Sequence, residues 1–181
     1  MKYYLILITT IFCISCNKEN CNENKIKPPS LFLSNSHYKD IKFYSRANYI
    51  EGLVIEKWSN LDDKISISFG YTYSNSVNKL DNGGCPLSVS LLIKSDLLTK
   101  EEVQFLKEFI VDFGKDGKEF ISFYEQNMDQ LEKRESIFIK MEKDRVTFEI
   151  GKLYYEQSMY YSLRFDDSNY HYKFFSDHKK H

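Results

Sequence analysis

The chain has 181 residues, of which 42% are hydrophobic and 28% charged, with 25 basic against 26 acidic side chains and a formal charge of −1. That length suits one globular domain, and the even balance of charge excludes recruitment of nucleic acid by a bulk basic field. A single alanine, Ala47, and four arginines beside 21 lysines follow the drift of AT-rich coding sequence. Abundant Tyr, Phe and Asn are therefore not in themselves a functional signal.

At the N-terminus, Lys2 precedes an apolar run from Tyr3 to Ile14, and the small residue Ser15 stands directly before Cys16. A charge, a short apolar stretch and a small residue make the layout of an export signal. The run falls short of the roughly 20 apolar residues that a permanent membrane span needs. Ile14-Ser15-Cys16 resemble the lipobox of bacterial lipoproteins, although Cys13 stands where that family usually has an aliphatic residue. The resemblance covers this segment alone. It implies that residues 1–15 are a signal peptide, that Cys16 receives diacylglycerol and becomes the mature N-terminus, and that the protein is held to a membrane of the cell envelope, the outer one by preference. Cys13 and Cys21 follow Phe12 and Asn20, which are not small, so neither competes with Cys16. Cys21 and Cys85 are then left over, either as a disulfide tying tether to domain or as two free thiols.

Residues 16–29 are polar, lack apolar periodicity and end in Pro28-Pro29, the composition of an extended tether. A single domain is expected over 30–176, with a fraying tail at 177–181. Ile65, Ile67, Phe69, Tyr71 and Tyr73 alternate with small polar residues as a half-buried strand requires, and residues 49–58 are expected to pair with it across Ser59 to Asp63. Leu87, Val89, Leu91 and Ile93 make a further strand face, and the turn-rich stretch 74–84 reads as an exposed loop.

Thr99-Lys100-Glu101-Glu102 fits a capping box, so a helix starts there, with Val103, Leu106, Phe109, Ile110 and Phe113 on one face and a stop at Gly114. A second helix is expected over 118–134, carrying Phe120, Phe123, Tyr124, Asn127 and Leu131 on one side, although the alternation Phe120-Ser122-Tyr124 also suits a strand. Beyond it, Ile137, Ile139 and Met141 alternate, 142–145 turn, and Val146, Phe148 and Ile150 alternate again. Tyr161, Leu163 and Phe165 lead into a turn expected at 166–169, followed by Tyr170, Tyr172 and Phe174. Hairpin strands interrupted by helices indicate an α+β fold: an antiparallel sheet of hairpins with one or two helices packed on one face.

No G-x-S-x-G, H-E-x-x-H, P-loop or G-x-G-x-x-G occurs, so no catalytic residue, cofactor or metal set is assigned. Asp112-Phe113-Gly114 reads as a helix end, His37 stands isolated, and His178 and His181 fall in the tail. Alternate strand residues face opposite ways, so the pairs Tyr154/Tyr155 and Tyr160/Tyr161 each turn one ring outward. Trp58, Tyr155, Tyr160 and His171 form the candidate binding surface, because such side chains anchor proteins or stack on sugars. The expectation is an envelope-anchored protein, bound to the membrane through Cys16, that binds a protein or glycan partner. Neutralising an incoming toxin in the manner of an immunity protein is one version. An envelope hydrolase with residues gathered only in three dimensions and a structural envelope lipoprotein are the rivals.

Overall fold

The structure, a computed structural model, describes residues 26, 29, 33–50, 53–74, 79–80, 86–113 and 117–167. Cys16, Cys21, Cys85 and His171 lie outside the described residues, as do the signal, most of the tether, most of the loop expected at 74–84, the strand expected at Tyr170 to Phe174, and the tail. A single 3-10 turn, Ser36–Tyr38, leads into β1 (Lys42–Ile50), β2 (Leu53–Ser59), β3 (Ile65–Ser74), the short β4 (Lys79–Leu80) and β5 (Ser88–Lys94). Then come α1 (Lys100–Phe113), α2 (Gly117–Lys133), β6 (Ile137–Lys143), β7 (Val146–Tyr155) and β8 (Ser158–Asp167). Seven strands form one antiparallel sheet in the order β1-β2-β3-β5-β8-β7-β6, with β4 paired to β3 beside this path. At about 4.8 Å per strand the sheet is roughly 29 Å wide.

Both helices pack on one face, so the α+β fold with helices to one side is the observed architecture. The buried face is laid down by strand alternation: Ile67 and Phe69 of β3, Val89, Leu91 and Ile93 of β5, Leu163 and Phe165 of β8, and Phe148 and Ile150 of β7. The helices answer with Leu106, Phe109, Ile110, Phe120, Tyr124 and Leu131, whose three- and four-residue spacing makes one stripe on each. Phe165 is the hub: its ring stacks on Phe148 at 4.6 Å and meets Phe120 edge-on at 5.4 Å. On the other face the same alternation sets out a row of Lys57, Ser68, Ser90, Arg164, Glu149 and Lys140 across six strands.

Two local expectations are corrected. The strand expected over 49–58 is two strands, β1 ending at Ile50 and β2 starting at Leu53, and most of β1 precedes the expected range. Asp166 and Asp167 do not turn; they are paired strand residues opposite Thr147 and Val146. The hairpin into β8 is made by Glu156 and Gln157, whose φ values of 46° and 62° match the two left-handed positions of a two-residue turn. Asp144 and Arg145, at 48° and 69°, make the same turn between β6 and β7.

Candidate functional site

Antiparallel pairing brings several connections to one end of the sheet. Lys42, Ser59, Ile65, Lys94, Ser158, Tyr155 and Ile137 all lie there, as the registers Lys42↔Ser59, Ser59↔Ser66, Ile65↔Ile93, Lys94↔Tyr160 and Tyr155↔Ser158 require. Neighbouring loops are bonded to each other: the Lys94 amide donates to the Lys64 carbonyl at 2.8 Å, and the Ser95 amide to that of Met159 at 3.0 Å. Of the eight large apolar side chains exposed by half or more among the described residues, seven stand at this end: Phe43, Tyr44, Leu61, Leu97, Phe138, Tyr154 and Tyr155. Leu61 is fully exposed at 103% and Leu97 is 73% exposed, values that no packing argument explains. We refer to this end as the apolar rim.

Glu102 fixes the two central loops of the rim. Its Oε2 accepts from the Thr99 amide at 2.8 Å while its own amide donates to Thr99 Oγ1 at 3.2 Å, which is the capping box read from the sequence. The Ser95 hydroxyl lies 3.1 Å from Oε2 and 2.8 Å from the Leu97 carbonyl, and the Lys64 ammonium is 2.8 Å from Oε1. One buried carboxylate thus ties the loop bearing Leu61 to the loop bearing Leu97. Burial pushes the Glu102 carboxyl up, but Lys64, the Thr99 amide and the Ser95 hydroxyl outweigh it and hold the group below the usual carboxylate range. A carboxyl whose folded value is depressed contributes stability above its unfolded value and loses that contribution as the pH falls through the folded one. Glu102→Gln is therefore expected to cost about 1–2 kcal/mol near neutral pH. The difference from wild type should vanish in acid, measured by urea denaturation across that range; a gap that persists there would show that charge is not the cause.

A second polar cluster fastens the N-terminal arm. Asp112 accepts from Asn35 Nδ2 at 3.1 Å on both oxygens and from the Tyr38 hydroxyl at 3.0 Å, and His37 Nε2 lies 2.9 Å from Oδ2. His37 is therefore not isolated; its Nδ1 also lies 4.0 Å from Glu108. An acid near a helix C-terminus opposes the macrodipole, and the donors from the arm offset that cost. Burial, then the Asp112 carboxylate, push the Tyr38 phenol well above its usual range, so it stays a donor. Both imidazole nitrogens face carboxylates, and neither is directed at a hydroxyl or thiol that it could activate. The cluster works as a clasp.

The expected surface residues divide. Trp58 lies on the helix-bearing face of β2, packed against the core with Phe43 edge-on at 5.4 Å, and its buried Nε1 has no hydrogen-bond partner among the described residues. Tyr160, half-buried, and Tyr155, 58% exposed, point to the opposite face. The structure brings all three to the rim end but not onto one surface. Tyr161 turns inward as expected, whereas Tyr154 and Tyr155 are both exposed, because they run past the helices at the end of β7. Leu61, Leu97, Phe43 and Tyr44 were missed, since single apolar residues in polar loops carry no periodic signal. Among the described residues no group of three or more His, Cys, Asp or Glu side chains is placed to hold a metal ion. Compared with known proteins, the chain matches no protein-family model, no curated protein and no solved structure.

Proposed function

We propose that the protein is a lipoprotein, anchored in the cell envelope through Cys16, whose domain holds a protein partner against the apolar rim. The observation that carries this reading is the concentration of exposed Leu, Tyr and Phe side chains on bonded neighbouring loops at one end of the sheet. Solvent-exposed apolar clusters of this kind mark contact surfaces, and leucine tips favour a protein over a sugar ring.

An incoming toxin, neutralised in the manner of an immunity protein, is one partner this reading suits.

The test is affinity capture from envelope and culture fractions with the full-length protein in detergent. Leu61→Ser, Leu97→Ser and Tyr155→Ser combined should leave folding intact and weaken capture by roughly 100-fold or more. Val111→Ser, which changes an exposed residue away from the rim, should capture as wild type does. Cys16→Ser should shift the protein out of membranes without changing what it captures. Recovery of the same partners at the same strength by the triple variant would sink the proposal.

A further inference from the structure

The two edges of the sheet are built differently. β1 is blunted: its register with β2 shifts between Phe43 and Ser45 and again between Asn48 and Ile50. Such bulges twist an edge away from incoming strands. β6 has no such defect. Its seven residues pair with β7 without a shift, from Ile137↔Lys152 to Lys143↔Val146, and contain neither Pro nor Gly.

The direction of the backbone groups of β6 that have no strand partner among the described residues follows from the turn. In a two-residue hairpin the flanking pair, here Lys143 and Val146, exchanges both hydrogen bonds, and the pairs alternate from there. Met141, Ile139 and Ile137 are therefore bonded to β7, and the amides and carbonyls of Phe138, Lys140 and Glu142 point outward. Edge strands are commonly guarded by lysines, but both lysines here are neutralised within the chain: Lys140 lies 3.0 Å from Glu149, and Lys143 pairs with Glu119. Phe138, beside Gly151 on β7, remains half exposed at this margin.

We propose that β6 pairs with β6 of a second copy, joining two sheets edge to edge about a two-fold axis at Ile139. The sequence of the strand selects the occupant and the register. Full overlap about Lys140 would set that residue against its own copy and Lys143 against Ile137. A slip by two residues places Ile139 on Ile139, Ile137 on Met141, Phe138 on Lys140 and Lys143 on Glu135, so that apolar meets apolar, an ammonium lies by a ring, and Lys143, already beside Glu119, faces a second acid. The outward groups of Phe138 and Lys140 are then in phase to bond each other. The contact is isologous and closes at two copies.

The test is the mass of the full-length protein in detergent by analytical ultracentrifugation at micromolar concentration. Wild type should sediment as a dimer. Lys140→Pro removes an outward amide and none of the bonds to β7, so it should give a folded monomer. Glu135→Lys and Lys143→Glu should each weaken the dimer by roughly tenfold, through two symmetry-related pairs, and the two together should restore it. Should Lys140→Pro unfold, the charge exchange decides. A monomeric wild type, or a dimer indifferent to both the proline and the exchange, would overturn the proposal.

Discussion

Replacing Phe165 with alanine is expected to lower stability by about 4 kcal/mol, as a fall in the urea midpoint at an unchanged slope. The side chain has no exposed surface, stacks on Phe148 at 4.6 Å with an interplanar angle of 24°, meets Phe120 at 5.4 Å and 88°, and lies 6.2 Å from Phe109. It therefore touches both helices and the neighbouring strand, and few atoms around it are free to fill the vacated space. Phe138→Ala, at a position half exposed on the sheet margin, should cost less than about 1 kcal/mol. A loss at Phe165 no larger than that control would show that the aromatic cluster is not the centre of the core.

Asp112→Ala is the second large effect, expected at about 3 kcal/mol. The substitution removes the acceptor shared by Asn35, His37 and Tyr38 and leaves the hydroxyl of Tyr38, a residue only 1% exposed, without it. Removing the acceptor of a buried donor costs about 1–3 kcal/mol, and bonds to a charged acceptor add a similar amount. The relief of an acid near a helix C-terminus returns part of this, about 0.3–1 kcal/mol. Loosening of the arm should appear as faster tryptic cleavage at Lys39 in the folded protein. His37→Ala removes one of these contacts and should cost about 1 kcal/mol. If Asp112→Ala costs no more than a change at the exposed Asp129, the arm is held by other means.

Much of the fold was legible because its signals are local. The capping box at Thr99 and the apolar stripes of both helices are written in adjacent turns, and the alternation of Ile67, Phe69, Val89, Leu91 and Ile93 marks buried faces directly. β1 was not legible, because its bulge at Tyr44 sets Phe43 and Tyr44 side by side among Lys42, Ser45 and Arg46 and breaks the alternation. The turn at Glu156 and Gln157 was hidden for another reason: neither residue is Gly or Asn, the usual marks of left-handed turn positions, so the tyrosines on both sides read as separate pairs without a hairpin between them. Asp166 and Asp167 misled in the opposite sense, as adjacent acids that suit a turn. Asp166 is instead a strand residue bonded to Arg164 Nε at 2.9 Å.

The site was less legible than the fold. Glu102 was read as a cap, but its contact with Lys64 joins segments far apart in sequence, and the clasp at Asp112 likewise draws on residues more than 70 positions away. The rim is collected from five separate stretches of chain, each contributing one or two apolar side chains. No periodicity within a single stretch reports such a gathering; only strand order does.

Strand order also implies a history. β1, β2 and β3 are joined to their neighbours by short connections, and so are β6, β7 and β8, so each group can zip up from contacts close in sequence. The joint between them, β5 against β8, has both helices and two strands intervening along the chain. Closing that joint spends the most loop entropy, and it is the step at which two half-sheets become a single cooperative unit. Until then each half exposes a raw margin of unpaired backbone. The costliest closure, and the danger of pairing with the wrong molecule, therefore belong to one seam in the middle of the finished sheet.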